Sequence, residues 1–255
     1  MKKIKLIMNA VIIAAFFCVV YGEDFVKQNI EIVTDNGYVI SADIITFNEN
    51  PGPALLAIHR VGTSGNDWNT MLEYLSRSGI SKVLIFDIPG HGGSLFRNRI
   101  EGISQDSVLY SQFNQDDYIS IADDVSYIFS YLKSLPGADS LKCGIIGDHS
   151  GAIYAVKTAV KDNNVEFLVL ISPEIINHGV TINDDIRNLS DIPTLIIAFK
   201  EDEIGWSNAE WLNDNCSSEK KQFKLFFRSY NSADILGNSP KLGEYVGNWL
   251  KKKIK

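Results

Sequence analysis

What constrains this chain most is a succession of short, wholly apolar runs set apart by stretches with helical spacing. The runs cover residues 54–59, 82–87, 141–147, 165–172, 193–199 and 222–228. A strand that is apolar on both faces needs cover on both, which is the condition of strands inside a parallel sheet. Between the runs, Trp68, Met71, Leu72 and Leu75 recur at helical spacing, as do Ile121, Val125, Ile128 and Leu132. A last stretch repeats the pattern with Leu242, Tyr245, Val246, Trp249 and Leu250, where Ser239 is placed to cap and Pro240 to begin the helix. Ahead of the first run, residues 28–34 and 38–46 alternate between polar and apolar around Asn36-Gly37, a hairpin signal. The expectation is an α/β domain with a doubly wound, mostly parallel sheet that opens with an antiparallel hairpin. Neither a repeat nor a linker divides residues 23–255, so they read as one domain.

Residues 1–22 read as an export signal. Lys2, Lys3 and Lys5 precede an apolar stretch over residues 6–20, and Val20 and Gly22 are small enough to allow cleavage before Glu23. That stretch is short for a membrane span, and no other run approaches its length. A periplasmic or extracellular location is expected, with retention of the segment as an anchor as the alternative. Without residues 1–22 and their three lysines, the formal charge moves from −7 to −10. So acidic a domain is a poor partner for nucleic acid or an anionic membrane surface. Of the cysteines that remain, Cys143 falls in an expected buried strand and Cys216 at the end of an expected surface helix, which points to two free thiols. No CxxC, HExxH or clustered His/Cys spacing points to a metal, and nothing points to a cofactor.

The most specific local pattern is Gly147-Asp148-His149-Ser150-Gly151. An apolar run over 143–146 leads into it, and Ala152, Ala155, Val156 and Ala159 lead out at helical spacing. Strand, sharp turn and helix, with a glycine two residues before Ser150's predecessor and another two after it, is the frame in which a strained central residue carries a nucleophile. The central residue here is His149, and Ser150 comes one position late. Shifting the frame by one would centre Ser150, but it would press the Asp148 side chain into a crowded corner.

Four segments, in order and at the right spacing, resemble the α/β-hydrolase superfamily over essentially the whole chain after the export segment. They are Ala57-Ile58-His59-Arg60 with Gly62, Gly65 and Trp68; Asp87-Ile88-Pro89-Gly90-His91-Gly92-Gly93-Ser94; the 147–151 turn; and residues 192–198 followed by Asp202. The style is closest to the small esterase-like and dienelactone-hydrolase-like members. That resemblance implies a nucleophile position at His149 and an acid position at Asp202. It also implies an oxyanion pair from the amide of Ser150 and that of Arg60 or Val61.

The triad order also requires a histidine after the acid. The four histidines are His59, His91, His149 and His178, and none follows Asp202. The superfamily's H-x-x-D segment maps onto residues 231–234, which places Asn231 at the histidine position. A neutral amide cannot serve as a general base near neutral pH. Ser150 remains an alternative nucleophile, or its hydroxyl caps the following helix. His59 and His91 read as structural, whereas His178 lies in a long connection and is a candidate replacement base.

Arg60, where the superfamily usually has a small residue, would favour an anionic ligand such as a carboxylate or phosphate. The alternative is that it pairs with Asp148, Asp202 or Glu203, or points to solvent. The connections over residues 93–117 and 173–191 are long enough to build a pocket or its lid.

The function expected is that of an exported hydrolase-fold protein that has lost the Ser-His-Asp machinery and keeps a small-molecule pocket. One alternative is a hydrolase of small esters or lactones with an irregular centre of Ser150 or His149, Asp202 and His178. The other is a non-hydrolytic enzyme in the same pocket.

Overall fold

The structure is a computed structural model and describes residues 25–98, 105–189, 191–227, 236 and 239–254. The expected export signal at residues 1–22 and Asn231 lie outside the described residues.

The chain opens with the hairpin β1 (Val26–Val33) and β2 (Tyr38–Thr46), turned at Gly37 with φ 83°. Only a residue without a side chain takes that φ at little cost. Then follow β3 (Gly52–Ile58), α1 (Leu72–Ser76), β4 (Lys82–Phe86), β5 (Phe96–Asn98), β6 (Gln105–Ser107), α2 (Gln115–Ser134) and β7 (Ala138–Asp148). After these come α3 (Gly151–Lys161), β8 (Leu168–Ile171), β9 (Ile176–Asn177), β10 (Val180–Thr181), β11 (Thr194–Phe199), α4 (Glu203–Asn215), β12 (Gln222–Phe226) and α5 (Pro240–Lys253).

The main sheet runs β12-β11-β8-β7-β3-β4-β2-β5-β6, with β1 on β2. From β12 to β4 every pairing is parallel, and from β4 onward every pairing is antiparallel. The doubly wound, mostly parallel α/β sheet with its antiparallel opening is therefore present.

Successive residues of a strand point to opposite faces. Leu56, Ile58, Leu84 and Phe86 pack with Ile121, Val125 and Tyr154 of α2 and α3, while Leu55, Ala57, Val83 and Ile85 pack with Trp68, Leu242 and Val246. Both faces are dry, and that is why these strands read as unbroken apolar runs. At the carboxyl end, Ser239 caps α5 by accepting the Leu242 N–H at 3.2 Å, with Pro240 beginning the helix.

Four local expectations change. The stretch around Trp68 is a 3₁₀ segment, Gly65–Met71, that passes into the short α1. The expected aperiodic excursion over 93–117 contains β5 and β6, which extend the edge of the sheet from β2. The second connection contains the small β9–β10 hairpin. Cys216 caps α4 but is buried, not on the surface, and it and Cys143 are both free. Burial pushes both thiols up, Cys143 to about 11, so neither is a reactive thiolate near neutral pH. Among the described residues, no helix is long and apolar enough to cross a membrane.

Candidate functional site

β7 ends at Asp148 and α3 begins at Gly151, and the turn between them carries its strain at His149, with φ 49°. A side chain in the left-handed region is uncommon and persists only where its surroundings hold it. The His149 N–H donates to the Ile171 carbonyl at 2.9 Å, and its own carbonyl accepts from Ala152 at 3.1 Å and Glu174 at 3.2 Å. The flanking glycines are required by close approach. A Cβ on Gly147 would lie 2.6 Å from the Gly151 carbonyl oxygen, and one on Gly151 would lie 2.4 Å from that of Ile58. Ser150, at φ −66°, is ordinary helical backbone. The corner residue is thus His149, and the shifted frame centred on Ser150 does not match the backbone.

Ser150 is buried, and its Oγ accepts the Val61 N–H at 2.7 Å. It makes no side-chain cap on α3, contrary to the expectation that its hydroxyl would serve the helix. The same bond occupies the Val61 amide, which with that of Arg60 was one of two expected to face a substrate oxygen. The next amide, Gly62, is also engaged, donating to His91 Nε2 at 2.9 Å.

The His149 imidazole lies between two carboxylates. Its Nδ1 sits 2.7 Å from Asp148 Oδ1, and because a carboxylate only accepts, Nδ1 carries the hydrogen. Its Nε2 is 3.9 Å from Asp202 Oδ2 and, though buried, has no hydrogen-bond partner. Burial pushes the His149 pKa down, but the charge of Asp148 and its hydrogen bond prevail with help from Asp202, and the pKa rises above the ordinary imidazole value against the opposing charge of Arg60.

Asp202 caps α4: its Oδ1 accepts the Gly205 N–H at 3.0 Å, and its Oδ2 accepts the Ser172 hydroxyl at 2.8 Å. Ser172 follows β8 in a second strained turn, φ 43°, fully buried. Two residues on, Glu174 accepts from Asn177 Nδ2 at 2.6 Å, and burial pushes its carboxyl up.

A cleft of about 420 Å³ joins these groups, walled by Arg60, Val61, Thr63, His149, Ser172, Glu174, Asp202 and Ile204 among others. Arg60, Val61, His149 and Asp202 were expected at one site, and the fold brings them together. Ser172 and Glu174 were missed. Both follow an apolar strand end, Leu170-Ile171, next to the elbow strand, and that neighbourhood was the only available signal.

His178 is not among those walls. It is exposed at φ 46°, and its ring stacks on Tyr118 at 4.0 Å and 3°. Of the connection 173–191, it is Glu174 that reaches the cleft.

His59 and His91 support the loop instead. His59 Nε2 accepts the Ile88 N–H at 2.9 Å while Nδ1 faces the Arg60 carbonyl at 2.8 Å. His91 repeats this with Gly62 N–H at 2.9 Å and the Pro89 carbonyl at 2.9 Å. An imidazole that accepts at one nitrogen and donates at the other is neutral. Burial accordingly pushes His59 to about 3 and lowers His91. Beside them Asp87 accepts the N–H groups of Gly65 and Gly93, each at 2.7 Å, tying the two loops together.

No family model matches the sequence, and no curated protein matches it. Solved structures do. Acetyl xylan esterase 1 from Thermoanaerobacterium sp. superposes with a TM-score of 0.74 at 15% identity, over 97% of this chain and 89% of that one. Dienelactone hydrolase from Anabaena variabilis gives 0.68 at 13%, over 91% and 100%. The acetyl xylan esterase from Paenibacillus sp. R4 gives 0.73 at 12%, over 96% and 90%. At such identities the likeness establishes the fold: the chain has the α/β-hydrolase fold.

Proposed function

We propose that this is an exported hydrolase-fold protein that has abandoned serine hydrolysis and uses the cleft beside His149 to bind a small molecule. The observation that carries the reading is the corner itself. The strained position holds an imidazole already bonded through Nδ1 to Asp148, while the neighbouring hydroxyl turns away to accept the Val61 N–H. A serine nucleophile needs a base within hydrogen-bond reach and free amides at the developing oxyanion. Ser150 meets an amide where it needs a base, and that amide, Val61, is one of the two candidates for the loop's oxyanion donor. The expected histidine position, Asn231, supplies no base either.

The test is to treat the purified protein with a fluorophosphonate probe and with a short-chain ester. Neither labelling nor turnover is expected. Stoichiometric modification of Ser150 would overturn the reading.

One observation favours a second reading: His149 lines the cleft, one of its nitrogens is held by a carboxylate and the other, Nε2, has no hydrogen-bond partner, the pairing of a general base with its orienting acid. The named neighbours act on acetyl xylan and dienelactone, so small esters or lactones would be the substrates. Ester turnover without Ser150 labelling, lost in His149→Asn, would establish it. Asparagine tolerates the left-handed φ of that position.

A further inference from the structure

We infer that the turn of the first hairpin is a proton-operated latch: it lies closed on α2 while the Asp124 carboxyl holds a proton and lifts when that carboxyl ionises. None of the residues that wall the His149 cleft takes part in it, so the latch is independent of what that cleft binds.

The latch starts from a carboxyl on an apolar face. On α2, Ile121, Val125 and Ile128 face the core, and Asp124 is buried with them at 1% exposure. A buried carboxylate is tolerated when its oxygens are matched. Here Oδ1 accepts from Asn36 Nδ2 at 3.1 Å, but Oδ2 has no hydrogen-bond partner. The Thr34 hydroxyl acts on Asp124 from the turn, yet Thr34 Oγ1 is buried as well and completes no hydrogen bond of its own. A neutral carboxyl suits this pair of atoms, because its O–H donates to a hydroxyl oxygen and no charge is taken out of water.

Little holds the turn to the helix. Among the described residues, both hydrogen bonds from the turn to α2 come from Asn36, one to Asp124 and one, at 3.5 Å, to the Ser120 carbonyl. On the other side, Arg97 Nε donates to the Asn36 carbonyl and the Asn98 N–H to that of Gly37, each at 2.8 Å, so β5 keeps hold of a turn that α2 releases. Beside Asp124 lies a cleft of about 460 Å³, walled by Asp35, Asn36, Asp123, Tyr127 and Lys161 among others. A small displacement of the turn therefore gives an ionised Asp124 the water that burial denies it.

The groups around Asp124 pull in both directions. Arg97 of β5, with Thr34 and Asn36 of the turn, favours the ionised form, and Asp123 of the same helix opposes it. Tyr38 of β2 is within reach of the Asp124 charge, Asp35 lies on the turn, and Lys161 of α3 is already paired with Asp123 at 2.7 Å. Burial outweighs the favourable neighbours and pushes Asp124 from 3.8 to about 6. The raised value fixes the sign: stability from the closed turn is complete below 3.8 and is lost as the pH rises through about 6.

The experiment is amide hydrogen exchange by NMR on the full chain from pH 4 to 8, each rate divided by that of an unstructured chain at the same pH. The parent is compared with Asp124→Asn and Asp35→Asn. The Thr34, Gly37 and Asn98 N–H groups report the turn, and the Ile145 N–H, bonded to the Phe167 carbonyl inside the sheet, reports unfolding of the whole. In the parent, protection of the turn should fall about tenfold per pH unit between about 4 and 6, about a hundredfold in all, and then level off. Above pH 6 it should lie about tenfold or more below that of Ile145. Asp124→Asn, neutral at every pH, should keep the turn protected throughout, and Asp35→Asn should behave as the parent does. Protection of the parent turn that is constant with pH, or equal to that of Ile145 at every pH, would overturn the latch. So would an Asp124→Asn variant that follows the parent, or an Asp35→Asn variant that loses the response. A carbon-13 titration of the parent carboxyls needs no variant, and an Asp124 that titrates near 3.8 there would overturn it equally.

Discussion

The loop after β3 and the corner after β7 both hold buried imidazoles, yet they shift their pKa values in opposite directions. Under the loop, His59 has a backbone N–H on one nitrogen and a carbonyl facing the other, and burial prevails over the hydrogen bond to the Arg60 carbonyl and pushes it down to about 3. At the corner, His149 is buried too, but Asp148 sits 2.7 Å from Nδ1 and its pKa rises instead. Burial by itself lowers a histidine's pKa, whereas a carboxylate beside a buried histidine raises it. The first kind braces a loop. The second leaves a buried nitrogen, His149 Nε2, without a hydrogen-bond partner.

That contrast can be broken in several ways. The largest effect is expected for His59→Ala, which opens a cavity and strands the Ile88 N–H. It should cost about 3 kcal/mol or more, read as loss of stability in urea unfolding. Asp87 and His91 would be left to hold the loop.

Ser150→Ala removes the acceptor of the Val61 N–H and should cost about 1–2 kcal/mol. If the binding reading holds, no ester turnover will be lost, because none depends on that hydroxyl.

Asp148→Asn sharpens the contrast directly. With the carboxylate gone, burial dominates, and the His149 pKa should fall below the ordinary imidazole value in an NMR titration. A His149 that still titrates high would show that Asp202, at 3.9 Å, is its true partner. In the parent protein the elevated pKa contributes stability that is complete below the ordinary imidazole value and is lost as the pH rises through the folded one.

A last signal, small for each pH unit, comes from pH alone. His59 should remain unprotonated at pH 5, and its share of stability should decline by about 1.4 kcal/mol per unit as the pH falls from the ordinary value near 6.5 toward about 3. A His59 resonance that titrates near 6 would dismiss the buried, neutral assignment.

Much of the architecture was legible because its cause is local to each strand. Residues 54–58 and 82–86 are apolar throughout since both sheet faces are covered, and no other arrangement demands that pattern so directly. β5 and β6 were not legible. Three residues show no period, and Phe96–Asn98 becomes a strand only because the edge of β2 lies open beside it. At the site, the elbow frame and Asp202 could be read from their motifs. Ser172 and Glu174 carry no motif, and they enter the cleft because β8 lies next to β7. The bond that the Ser150 hydroxyl makes was not legible either, since its partner Val61 is 89 residues distant and no local pattern announces it.

By itself the sequence determined the parallel sheet, the corner between its two glycines and the presence of an imidazole where a nucleophile would stand. All three follow from short-range sterics and from which faces are apolar. Only the tertiary structure decided what that imidazole is. Its charge depends on the Asp148 side chain turning back onto Nδ1, on Asp202 arriving from another strand and on the exclusion of water, and an electrostatic balance of that kind exists only once the chain has folded.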